Sequence, residues 1–120
     1  MTVHIWVRAE ERPNEMRVPL TPAGAAELID AWAKVTVEDS LHRCISSEAY
    51  RAIGAEIVPA GAWRVAPDDA YILGLKELPE DATPLSHKHI MFGHAYKGQP
   101  AGQDLLGRFK AGGGTLLDLE

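Results

Sequence analysis

At 120 residues, with 46% hydrophobic and 24% charged side chains, the chain is large enough to bury a core and too apolar for wholesale disorder. A formal net charge of −5 argues against a general nucleic-acid or anionic-membrane partner, no apolar run is long enough for a membrane span, and the one cysteine, Cys44, excludes an internal disulfide. With no basic and apolar leader at the amino terminus, the expectation is a cytoplasmic chain forming one domain over residues 1–120.

Taken in chain order, Val3 to Val7 alternates and is rich in β-formers, a first strand. Thr21-Pro22 supplies an N-cap and a first helical residue, and Ala25, Leu28, Ile29 and Trp32 follow at helical spacing. Val35–Val37 is a second strand running into Glu38-Asp39. Ser46 or Ser47 caps a short helix through Tyr50 and Ile53, closed by Gly54. Glu56–Val58 is a third strand, stopped by Pro59 and Gly61, and residues 62–69 form a turn-rich link with room for one helical turn. Tyr71–Leu75 and a run from about Lys88 to Ala95 are the fourth and fifth strands, short apolar segments of the kind buried on both faces of a parallel sheet. Pro100 opens a last helix with Leu105, Leu106 and Phe109 on one face. Gly112 to Gly114 end it, and Thr115–Leu119 is a sixth strand. Strands alternating with helices imply an α/β fold with a mainly parallel sheet of about six strands.

In such sheets ligands bind at the carboxyl ends of the strands. Arg8, Arg12 and Arg17 follow the first strand, Lys76-Glu77 the fourth, His94 and Lys97 the fifth, and Glu120 the sixth, so one edge gathers them all. An amine at Lys76 and an imidazole at His94 suit proton transfer, and Arg12, Arg17 and Lys97 suit carboxylates. For each, the ordinary alternative is a solvated surface charge or a hydrogen-bonded strand-end histidine. No metal site is expected: His87 and His89 share a strand face that His94 does not, and the spacing fits no familiar zinc pattern. The Gly112–Gly114 cluster precedes a strand where a phosphate cradle would precede a helix, and no G-x-G-x-x-G occurs, so no dinucleotide is expected to bind this chain alone.

Five blocks carry a resemblance: Arg8-Ala9-Glu10, Arg17-Val18-Pro19-Leu20-Thr21-Pro22, Gly74 to Pro79, His94-Ala95-Tyr96-Lys97, and Gly114 to Glu120. In order and spacing they resemble the amino-terminal region of the NAD-dependent, lysine-forming saccharopine dehydrogenases. The stretch from Arg17 to Gly24 also resembles the amino-terminal domain of alanine dehydrogenase and transhydrogenase. The resemblance implies a Rossmann-like (flavodoxin-like) substrate domain facing a separate NAD domain, and oxidative cleavage of a secondary amine to lysine and 2-oxoglutarate. It further implies that Lys76 takes the amine proton and that His94 serves imine hydrolysis. Glu77 and Glu120 would adjust those two groups, and Arg12, Arg17 and Lys97 would stand near substrate carboxylates. NAD would then come through a domain outside this sequence or on a partner chain, and self-association is a further expectation. The alternative is a non-catalytic module that keeps the fold and binds a carboxylate, an amino acid or a protein partner.

Overall fold

The computed structural model describes residues 2–12, 14–79, 81–93 and 100–119. The elements run β1 (His4–Val7), α1 (Pro22–Asp30), β2 (Lys34–Glu38), α2 (Ser47–Ala52), β3 (Glu56–Val58), a 3-10 turn (Ala62–Val65), β4 (Tyr71–Leu73), β5 (Lys88–Met91), α3 (Pro100–Gly112) and β6 (Thr115–Asp118). All five strand pairings are parallel, and the spatial order is β3-β2-β1-β4-β5-β6. The chain therefore builds outward from β1 to β3, returns through the 3-10 turn, and restarts on the other side of β1. The parallel α/β sheet is the one expected from the alternation of elements, and its Rossmann-like architecture is the one the family resemblance implies.

Side-chain alternation along the strands divides the core between the two faces. Val7, Val35 and Val37 meet Ala25 of α1 and Tyr50 of α2 on one face. On the other, Trp6, Ile72 and Met91 pack with Trp63, Leu85 and Phe109. The buried carboxylate of Glu38, at the end of β2, fastens the return segment. It accepts the indole N–H of Trp6 at 2.8 Å and the backbone N–H groups of Ala9 at 3.0 Å, Gly61 at 2.8 Å and Trp63 at 2.7 Å. A buried carboxylate is tolerable only when satisfied in this way.

Local signals hold where backbone chemistry is specific. Thr21 caps α1, its hydroxyl accepting the Gly24 N–H at 3.1 Å. Gly113 takes φ 79° just past α3, as a helix-terminating glycine should. Trp32 departs from the reading that put it on the apolar face of α1. The helix stops at Asp30, and Trp32 is 86% exposed at φ 72°. Its N–H reaches the Ile29 carbonyl and that of Ala33 reaches Leu28, closing a Schellman turn with tryptophan where glycine is usual. The fourth and fifth strands are also not buried on both faces: Ile72, His89 and Met91 are buried, whereas Tyr71, Leu73 and Ile90 on the opposite face are only partly covered. No helix among the described residues is long and apolar enough to cross a membrane.

Candidate active site

The strand order reverses between β1 and β4, and an open parallel sheet forms its ligand crevice outside the carboxyl ends at such a reversal. Val7 pairs with Leu73 at the end of the two strands. One residue on, Arg8 folds its guanidinium against Gly74, where an added Cβ would lie 2.4 Å from Arg8 Cζ. Arg8 is only 2% exposed. Its Nη2 donates to the carbonyl of Lys76, and Nη1 lies 3.6 Å from Glu10 Oε1. Nε and Nη1 have no hydrogen-bond partner among the described residues. Burial, opposed by the charges of Glu10 and Glu38, leaves the guanidinium below its ordinary pKa. Glu10, also buried, accepts the N–H of Leu75 at 3.0 Å and that of Lys76 at 2.8 Å.

Lys76 is half-buried, three residues beyond the carboxyl end of β4. Glu77 follows it, but its hydrogen-bonded partner is Arg12, whose Nε lies 2.5 Å from Glu77 Oε1 at the solvent rim. Partial burial raises the Glu77 carboxyl, yet the Arg12 hydrogen bond, its own backbone contact and the Arg12 and Lys76 charges bring it below its usual value. Arg17 is held in two-point fashion by Glu15: Nε donates to Oε2 at 2.9 Å and Nη2 to Oε1 at 2.6 Å. Those hydrogen bonds are the main reason the Glu15 carboxyl drops to about 2, and the charge of Lys76 acts in the same direction. Nη1 of Arg17 has no partner among the described residues, so one side of its fork still faces outward.

β5 lies beside β4, with Leu73 paired to Ile90 and the Gly74 N–H reaching the Ile90 carbonyl at 3.0 Å. The chain leaving β5 through Gly93 thus emerges next to the segment carrying Lys76. His94, Lys97 and Glu120 themselves lie outside the described residues.

Sequence reasoning overlooked Glu10, Glu15 and Glu38. The available signal was Glu10 and Glu38 next to strand ends, and Glu15 two residues from Arg17. The histidine pair is structural: His87 bonds the Ala66 carbonyl at 2.9 Å, and His89 is fully buried between Trp63 and Phe109.

A cleft of about 530 Å³ opens beside the crevice over the ends of β1 to β3, bordered by Glu10, Glu11, Asp39, His42 and Gly61. Its acidic rim opposes a pyrophosphate. Residues 8–21, which link β1 to α1, contain no glycine, unlike the glycine-rich turn that carries a pyrophosphate after the first strand of dinucleotide-binding folds.

Residues 6–120 match the sequence profile described as alanine dehydrogenase/PNT, N-terminal domain. The chain is 50% identical over 118 residues to saccharopine dehydrogenase [NAD(+), L-lysine-forming] of Schizosaccharomyces pombe, covering 98% of this chain and 32% of that protein. It is 52% identical over 117 residues to the protein of the same name in Emericella nidulans, covering 97% and 31%. It spans about a third of the length of these curated relatives. Among solved structures, a transhydrogenase from Sinorhizobium meliloti superimposes with a TM-score of 0.71 at 20% identity, over 96% of this chain and 34% of that one. An L-alanine dehydrogenase gives 0.70 at 16% identity, over 97% and 32%. These two share the fold.

Proposed function

Because the chain belongs to the family of alanine dehydrogenase/PNT N-terminal domains, we propose that it is the substrate-side part of a saccharopine dehydrogenase-like oxidoreductase. The reaction is saccharopine, NAD and water going to lysine, 2-oxoglutarate and NADH. One observation carries this reading: about half the residues are identical to relatives of that name along nearly the whole chain. The position of Lys76 at the β1/β4 reversal adds to it.

In this reading Lys76 Nζ accepts the proton of the substrate's secondary amine. His94 passes protons to and from the water that hydrolyses the imine. The outward side of the Arg17 fork and the ammonium of Lys97 hold carboxylates, with Arg12 at the rim. Glu77 and Glu120 set the charge around the two proton-transfer groups. Hydride acceptance belongs to an NAD-binding domain outside these 120 residues, on the same longer chain or on a partner.

The test is to combine the chain with the NAD-binding portion of a saccharopine dehydrogenase and follow NADH formation from saccharopine. Turnover is expected, falling at least about 100-fold in Lys76→Met, the size of a general-base contribution. An assembled complex that binds NAD yet gives no NADH overturns the proposal.

A further inference from the structure

We propose that Arg8 and Glu10 are positioning residues that grip the peptide units on both sides of Lys76 and so aim its amine. The inference rests on the reading of Lys76 as the base. β4 ends at Leu73, and on the β1 side the ladder stops with the Arg8 N–H donating to the Leu73 carbonyl at 3.0 Å. Beyond that point side chains replace the missing strand. Glu10 takes the N–H of Leu75 and of Lys76, and Arg8 gives an N–H to the Lys76 carbonyl. Lys76 is therefore held fore and aft by two buried groups of opposite charge, 66 residues away in sequence for the Glu10 contact.

The arrangement is costly. Nε and Nη1 of Arg8 are buried with no hydrogen-bond partner among the described residues, and an apolar pair of similar volume would usually be as stable. Its return is orientation: with its peptide fixed, Lys76 has only its side-chain torsions left to order, and a displacement near 1 Å at a reacting group costs about 100-fold in rate. Gly74 belongs to the same device, since any side chain there would push the guanidinium aside.

Two measurements test the grip, both on the chain assembled with its NAD-binding portion. In the first, Glu10→Gln is expected to lower kcat about tenfold with KM for saccharopine held within about twofold. In a Lys76→Met background the same substitution is expected to cost less than about twofold, because nothing remains to be aimed. An equal loss in both backgrounds means a general structural role and overturns the inference. In the second, amide hydrogen exchange in Glu10→Gln is expected to quicken about tenfold or more at Leu75 and Lys76 while Val37 and Ile72 stay unchanged. Uniform acceleration, or none, also overturns it. Arg8→Lys, which keeps a cation beside Glu10, gives a milder form of the same selective pattern if Glu10→Gln does not fold. Selective exchange together with a fully active Lys76→Met leaves the grip standing and removes the base assignment alone, so the two failures are distinct.

Discussion

His89 contributes to the response of this protein to acid through its burial. Its ring is fully buried, with ring centroids 5.3 Å from Trp63 and 5.4 Å from Phe109, and neither nitrogen has a partner among the described residues. Burial above all, then the charges of Arg8, His87 and Arg108, hold its pKa down at about 3 from an ordinary 6.5. Between those values the unfolded chain carries the proton and the folded chain does not, so stability is complete above pH 6.5 and falls as pH drops toward 3. From pH 7 to pH 5 the loss from this residue is about 2 kcal/mol, by the linkage of one such shift. His4, lowered by burial and by Lys34, acts with the same sign. Urea unfolding at the two pH values checks this: His89→Leu should remove most of the difference, and an unchanged pH dependence would locate it elsewhere. Glu15 has the usual carboxylate sense. Its Arg17 contact stabilises above the ordinary carboxyl pKa of 4.5 and is lost as pH falls toward about 2.

At the scale of elements, the three glycines after Lys110 divide their roles, although in sequence they read simply as a helix stop. Gly113 supplies the positive φ. Gly112 and Gly114 let the end of α3 press on the backbone before β5, where a Cβ on Gly114 would lie 2.5 Å from the carbonyl oxygens of both Leu85 and His87. These neighbours are backbone and cannot swing away. Gly114→Ala should therefore destabilise by about 2 kcal/mol or more, in the range of overpacked sites. Gly107, exposed within α3 with nothing inside 4 Å of its notional Cβ, should behave oppositely. Gly107→Ala is expected to stabilise by up to about 1 kcal/mol through helix propensity. Paired thermal melts of the two variants read the opposite signs directly.

Across the whole molecule, the two faces of the sheet are unequally covered. Helices α1 and α2 pack on β1 to β3, and α3 with the 3-10 turn fills the opposite face, which leaves one side of β4 to β6 without a helix among the described residues. Phe92 at 39%, Leu117 at 43% and Leu119 at 51% exposure continue that side beyond the partly covered Leu73 and Ile90. A contiguous apolar strip of this kind favours association. The isolated chain is expected to self-associate with concentration in sedimentation velocity, and Leu117→Glu with Leu119→Glu should return it to a monomer. A monomeric parent at high concentration would contradict this.

What the sequence by itself determined was local: which segments form strands and helices, the Thr21-Pro22 cap, the glycine stop after α3, and the α/β alternation that requires parallel pairing. β4 ends at Leu73 and β5 at Met91, short of the Leu75 and Ala95 that the apolar runs suggested. Periodicity and backbone chemistry act over a few residues, so they are written into short windows. Lys76 at a strand end was legible for the same reason. Only the tertiary structure decided the strand order with its reversal at β1 and β4, the side of the sheet left without a helix among the described residues, and the partners of the charged groups. Glu77 turns to Arg12 across 65 residues, and Glu10 holds the backbone at Lys76 across 66. Those outcomes depend on which distant segments become neighbours, because a charge at a strand end takes whatever donor or acceptor the sheet sets beside it.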